Sequence, residues 1–134
     1  MTISGDDMRV ALVNTNRMKP PIAPIGLEYV AEALNAAGHC VEVLDLCWAE
    51  DWNSAIAGFF DNANFGLVGV TLRNTDDCAF TSRQSFLGEF ADMMSAIRKH
   101  TDALIVLGGV GFSVMPEQIL RSCDADAGVW GDGE

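Results

Sequence analysis

Apolar runs and helix-type repeats alternate along the whole 134-residue chain. Short runs rich in strand-forming residues predict strands at 9–14, 40–46, 67–71 and 104–107, with a last strand around 127–130. Between these runs, apolar residues recur every three or four positions, a spacing that is typical of helices with one buried face.

Four helices are predicted between the strands. The first begins at Pro24 and stops at Gly38, because proline suits the first turn of a helix and glycine its carboxyl end. A second repeat covers residues 52–60. The third helix is long and ends in the basic residues 98–100, where the helix dipole favours positive charge. A short helix is predicted around residues 116–121.

This alternation predicts the fold class. Continuously apolar strands separated by amphipathic helices indicate a parallel sheet that is covered on both faces. With right-handed crossovers, the result is a doubly wound α/β fold, Rossmann-like or flavodoxin-like, with five parallel strands. Residues 1–134 are read as one domain. A covering helix is expected after the last strand, so the chain is predicted to be a fragment of a longer protein.

Charge narrows the classes of partner. The chain has 8 Lys and Arg against 19 Asp and Glu, a net charge of −11, which disfavours nucleic acid and anionic membranes as partners. It has no apolar run of about 18 residues and no export signal, so a cytoplasmic protein is expected. Its four cysteines are far apart and are predicted to be free thiols.

The residues after each strand decide which ligands are possible, because ligands of this fold bind outside the carboxyl ends of the strands. Residues 14–17 contain no glycine, which excludes a dinucleotide fingerprint, and the chain has no P-loop. Asn14 and Thr71 stand where a receiver domain would need acidic residues, so that class is also excluded.

Small and polar residues remain at two loops, 71–77 and 108–113. Threonine and asparagine side chains can hydrogen-bond a ligand, and glycines let the backbone approach it closely. Each loop could instead be an ordinary turn or helix cap, but together they favour a binding site at one sheet edge. No catalytic group or metal cluster stands out, and His39 and His100 fall at the opposite edge.

The order and spacing of six segments resemble one known family. Segments 9–14, 21–34 and 38–45, followed by 70–77, 108–113 and 131–134, resemble the amino-terminal cobalamin (B12)-binding domain of B12-dependent radical SAM enzymes. The resemblance covers nearly the whole chain, and it implies that cobalamin lies across the carboxyl edge of the sheet.

The resemblance also implies roles for individual residues. Thr71 and Asn74 would hydrogen-bond the nucleotide tail or the corrin amides, and Asn14 and Asn16 would face the corrin ring. The remaining implied cofactor-binding residues are Gly108, Gly109 and Gly111 beside the dimethylbenzimidazole, Phe112 packed nearby, and Gly131 in the last rim of the site.

Two departures refine this expectation. The chain lacks the Asp-x-His-x-x-Gly pattern that supplies a histidine ligand to cobalt in many cobalamin domains, so base-off binding without histidine is expected. It also lacks Cys-x-x-x-Cys-x-x-Cys. The [4Fe-4S] cluster and S-adenosylmethionine would therefore belong to a downstream radical SAM domain, acting on a small-molecule substrate by methyl transfer, cyclisation or rearrangement. The alternatives are a cofactor-free flavodoxin-like interaction domain and one half of a nucleotide-sugar transferase.

Overall fold

The computed structural model describes residues 8–17, 25–61, 63–72, 82–109, 116–123 and 125–129. Its strands are β1 (Arg9–Asn14), β2 (Cys40–Asp45), β3 (Leu67–Thr71), β4 (Leu104–Gly108) and β5 (Ala127–Gly128). Its helices are α1 (Ile25–Ala36), α2 (Trp52–Asp61), α3 (Ser82–His100) and α4 (Pro116–Ser122). Each element lies where the sequence pattern predicts it.

Some element ends differ from the prediction by one or two residues, among them those of β2 and β5. β2 ends at Asp45 and is followed by a one-turn 3₁₀ helix, Leu46–Trp48, because the Asp45 carboxylate accepts the backbone N–H of Cys47 and caps that turn. β5 holds only two residues, and Trp130, the last predicted strand position, lies outside the described residues.

The five strands form one parallel sheet in the order β2-β1-β3-β4-β5. The chain leaves β1 towards β2 on one side and returns to pair β3 on the other side. The carboxyl ends of β1 and β3 therefore flank a topological switch point, where ligands of this fold class bind. The predicted doubly wound α/β fold is confirmed.

Side chains alternate between two apolar layers. On one face, Ala11 and Val13 of β1 join the larger core with α2, α3 and α4. On the other face, Val10 and Leu12 pack with Leu27 of α1. On α3, Phe90, Met93, Met94 and Ile97 are buried in the larger core.

Helix ends follow the expected local chemistry. α1 ends before Gly38, whose φ of 97° is the left-handed conformation that glycine tolerates without strain from a Cβ. At the end of α3, Arg98 donates to the carbonyl oxygen of Ala103 at 3.1 Å, which ties the basic carboxyl turn to the start of β4.

No helix in the described ranges is long and apolar enough to cross a bilayer. Cys40, Cys47 and Cys123 are free thiols, as predicted, and Cys78 lies outside the described residues.

Candidate functional site

Four residues form a row across the carboxyl end of the sheet. Asp45, Asn14, Thr71 and Gly108 are neighbours in the strand register of β2, β1, β3 and β4. Register partners in parallel strands point to the same face, and Asn14 alternates in phase with Leu12, which packs on α1. We call these four residues the terminal row, and it faces the α1 side of the sheet.

Asn14 joins the first two members of the terminal row. Its side chain is 2% exposed, and its Nδ2 donates to Asp45 Oδ1 at 2.9 Å. Its Oδ1 accepts the backbone N–H of Asn16 at 3.2 Å. A buried amide costs stability unless both of its ends are paired, so these contacts explain how Asn14 can be buried here. They also fix the direction in which the chain leaves β1.

Two further residues, which are not among the predicted site residues, hold the segment after β1 in place. Thr15 Oγ1 donates to the backbone oxygen of Thr71 at 2.6 Å. Arg17 Nη1 donates to the carbonyl oxygens of Leu46 at 2.6 Å and Ala49 at 2.9 Å. Their position directly after a buried strand was the available signal. Their partners lie 29 or more residues away, so the contacts themselves could not be read from the sequence.

Arg17 also introduces positive charge beside the β2–α2 connection. Its Nε lies 3.6 Å from Glu89 Oε1 on α3. The pKa of Asp51 is lowered, mainly by the hydrogen bond from the Ser54 hydroxyl and with a smaller contribution from the Arg17 charge. Three elements therefore meet around one guanidinium group at the carboxyl edge.

The two glycines at the end of β4 have different roles. Gly109 has a φ of +100°, and a Cβ there would lie 2.5 Å from Thr71 Oγ1 and 2.6 Å from the Leu72 carbonyl oxygen. Close packing of this loop against β3 therefore requires glycine at 109, with or without a ligand. Among the described residues, no atom lies within 4 Å of the position that a Cβ on Gly108 would take. Gly108 therefore borders space that these residues leave open on the α1 side of the sheet.

Thr71 is the neighbour of Gly108 in the terminal row, and its side chain carries a hydroxyl group. It is half-buried, and its backbone is held by Thr15. Within the described ranges, the Thr71 hydroxyl has no hydrogen-bond partner. A hydroxyl both donates and accepts, so Thr71 can pair with an amide or a phosphate oxygen of a ligand.

The structure brings five of the predicted site residues to one edge: Asn14, Asn16, Thr71, Gly108 and Gly109. Asn74, Gly111, Phe112 and Gly131 lie outside the described residues. Contact of any of these nine residues with a cofactor stays a prediction.

Both histidines of the sequence lie at the amino-terminal edge instead. His39 precedes β2, and its Nδ1 accepts the backbone N–H of Met8 at 3.0 Å. His100 ends α3, and its Nδ1 lies 3.0 Å from Asp61 Oδ1. Across the part of the chain that is described, no three His, Cys, Asp or Glu side chains are grouped to hold a metal ion.

Comparison with known proteins assigns this chain to a family. The profile of the B12 binding domain matches residues 11–134. The chain is 39% identical over 126 residues to the tryptophan 2-C-methyltransferase of Streptomyces laurentii, covering 93% of this chain and 21% of that enzyme.

Solved structures show the same relationship. TsrM from Kitasatospora setae, a radical S-adenosylmethionine methyltransferase with cobalamin and a [4Fe-4S] cluster bound, has a TM-score of 0.81 and 41% identity. That match covers 86% of this chain and 20% of TsrM. The cobalamin-dependent radical enzyme OxsB, at 18% identity and a TM-score of 0.60, shares the fold, over 87% of this chain and 16% of its own. The chain therefore spans about a fifth of the relatives it matches.

Proposed function

Since the chain belongs to the B12-binding domain family, we propose that the terminal row and the space beside Gly108 hold cobalamin. The family predicted from the sequence is confirmed, and it favours a cobalamin-binding domain over an interaction domain or a nucleotide-sugar transferase. The positions of the contacts are inferred from this structure, and the activity of the parent protein is inferred from the relatives.

The open space beside Gly108 carries the proposal. A Cβ at this position would meet no described atom within 4 Å, although the residue ends a central strand of the sheet. The space adjoins the hydroxyl of Thr71, the register partner of Gly108. A flat aromatic group could therefore lie against bare backbone there, with a hydrogen-bonding side chain next to it.

The charge of the chain is compatible with this ligand. Cobalamin presents mainly neutral amides, which hydroxyls, carboxamides and backbone N–H groups can pair without basic side chains. Thr71 would supply such a group, and Asn16 would follow it along the rim. When bound, cobalamin supplies a cobalt centre that can carry a methyl group.

We further infer that this chain gives cobalt no histidine ligand. Its two histidines both lie at the amino-terminal edge, one on the Met8 backbone and the other beside Asp61. Asn16 follows β1, where the histidine of the Asp-x-His-x-x-Gly pattern would stand. Base-off binding without histidine is the arrangement that these positions support.

The parent activity follows from the relatives. They include a tryptophan 2-C-methyltransferase and a radical S-adenosylmethionine methyltransferase of 41% identity. A further TsrM structure contains tryptophan substrate and an S-adenosylmethionine analogue. We infer that this domain serves methyl transfer to a small aromatic substrate, together with a radical SAM domain that carries the [4Fe-4S] cluster and binds S-adenosylmethionine.

A binding experiment tests the proposal. The chain is mixed with hydroxocobalamin, freed of excess ligand on a desalting column and measured by visible absorption. Retention of about one corrin per chain is expected, and a colourless protein would refute the proposal. After reduction to the cob(II) state, the EPR spectrum should lack the nitrogen splitting of an axial base. Splitting from imidazole nitrogen would contradict the inference about histidine.

A further inference from the structure

We propose that Arg17 is a positioning residue for the cobalamin site, because it fixes the segment that leaves β1 against the β2–α2 connection. The inference rests on the proposed function. It assigns to Arg17 an effect on affinity that is transmitted through the rim and needs no contact with the cofactor.

The contacts of Arg17 show how this fixing works. Nη1 donates to the carbonyl oxygens of Leu46 and Ala49, the first residue and the C-cap of the 3₁₀ helix. Nε faces Glu89 on α3 at 3.6 Å. One half-buried side chain therefore links the segment after β1, the turn after β2 and a helix of the opposite layer. Hydrogen bonds from a charged donor are about twice as strong as neutral ones.

The segment depends on such outside contacts. Residues 15–17 belong to no helix or strand, and they are held through Thr15 on β3 and Arg17 on the 3₁₀ helix. The Asn14–Asp45 contact secures the beginning of the segment. Arg17 holds its far end, next to Asn16, through the carbonyl oxygens of Leu46 and Ala49.

By holding residues 15–17 in one arrangement, Arg17 can raise the affinity for cobalamin. A ligand that binds only one arrangement of a loop has an apparent Kd equal to its intrinsic Kd divided by the populated fraction of that arrangement. If loss of the Arg17 contacts lowers that fraction to roughly a tenth, the Kd rises about tenfold.

Arg98 offers a matched control at the opposite end of the sheet. The Arg17 side chain is 27% exposed and the Arg98 side chain 25%. Like Arg17, Arg98 donates to a backbone carbonyl, that of Ala103, and meets a carboxylate, Asp126 Oδ2 at 2.8 Å. Loss of either side chain removes a hydrogen bond to a backbone carbonyl and a contact with a carboxylate, but of the two only Arg17 lies at the carboxyl edge.

The test measures hydroxocobalamin binding and thermal stability for the 134-residue chain and for Arg17→Gln, Arg17→Lys and Arg98→Gln. We expect both glutamine variants to lower the Tm. Only Arg17→Gln should raise the Kd, by about tenfold, and Arg98→Gln should stay within twofold of the unchanged chain. Arg17→Lys keeps the charge and should recover part of the affinity. At saturating cobalamin, the visible circular dichroism of the corrin should change in Arg17→Gln alone.

The outcomes separate the two proposals. If the unchanged chain binds and Arg17→Gln binds equally well, or both glutamine variants weaken binding alike, Arg17 is no positioning residue and the cobalamin function stands. If the unchanged chain does not bind, both proposals fall. If Arg17→Gln does not fold, the comparison uses Arg17→Lys, and an affinity equal to that of the unchanged chain overturns the inference.

Discussion

Substitution of one glycine at a time at the end of β4 tests the site most sharply. Gly108→Ala places a methyl group where no atom of the described residues lies within 4 Å. Gly109→Ala places the same group 2.5 Å from Thr71 Oγ1 and 2.6 Å from the Leu72 carbonyl oxygen, at a φ of +100°. The two variants change the same number of atoms, one residue apart.

Their stabilities should differ in sign or size. An alanine that fits reduces the freedom of the unfolded chain and stabilises by about 0.4–1 kcal/mol, so Gly108→Ala should keep or slightly raise the Tm. For Gly109→Ala, the unfavourable backbone region costs about 1–3 kcal/mol. Displacement of the Leu72 backbone costs about 1–3 kcal/mol more. At roughly 3–5 °C per kcal/mol, Gly109→Ala should melt some 6–30 °C lower.

Cobalamin affinity should show the opposite order. If the ligand packs on the bare backbone at Gly108, a methyl group there overfills the contact by about 1–3 kcal/mol, and the Kd rises roughly five- to 150-fold. Thermal melts and hydroxocobalamin titrations of both variants provide the two measurements. A Gly108→Ala variant that binds as tightly as the unchanged chain would remove Gly108 from the site. A large loss of Tm in that variant would refute the description of the space as open.

Three further outcomes follow from other contacts. Asn14→Asp replaces the donor to Asp45 by a second carboxylate, so urea titrations at pH 7.5 should show a free energy of unfolding that is lower by about 1.5–3 kcal/mol. Part of this loss should be recovered near pH 5, because the two carboxylates can then share a proton. Equal losses at both pH values would contradict the pairing. The pKa of Asp126 is lowered, first by the hydrogen bond from the Ile105 N–H and then by Arg98. The unchanged chain should therefore have a higher Tm than Asp126→Asn above about pH 4, and this difference should shrink as the pH falls through the lowered pKa. A difference in Tm that stays constant with pH would contradict this. Burial raises the pKa of the Cys123 thiol, so iodoacetamide at pH 8 should modify Cys123 more slowly in the folded chain than in urea, and equal rates would contradict its burial.

Hydrophobic spacing was sufficient to place the strands and helices because both faces of this sheet are covered and its strands are therefore continuously apolar. The same apolar continuity explains why the pattern predicts that β2 ends at residue 46, one residue beyond its end in the structure. Leu46 and Cys47 continue the apolar run and are buried, but they belong to a 3₁₀ turn. The Asp45 cap was the local signal that the strand stops there, and its weight becomes clear only with the N–H of Cys47 at 3.0 Å.

The sequence predicts where the candidate site lies but not which of its residues pair with each other. Parallel strands bring their carboxyl ends together, so Asn14, Thr71 and Gly108 could be expected at one edge. The register then shows that Asn14 is paired to Asp45, 31 residues away. No local pattern carries such long-range pairings, and for this reason the sequence does not predict the roles of Asp45, Thr15 and Arg17.

Glycine composition likewise does not reveal which glycine serves a ligand. Gly69, Gly108 and Gly109 all lie at or near the central strands β3 and β4, but a Cβ at Gly69 would lie 2.8 Å from Leu12 Cδ2, and one at Gly109 would strike the end of β3. At Gly109 the close contact is with backbone, so glycine is required there, whereas at Gly69 the end of the Leu12 side chain would have to move. Among the three, only Gly108 borders space that the described residues leave open. A methyl group added at Gly108 should therefore weaken cobalamin binding, whereas the same addition at Gly109 should chiefly lower the stability of the fold.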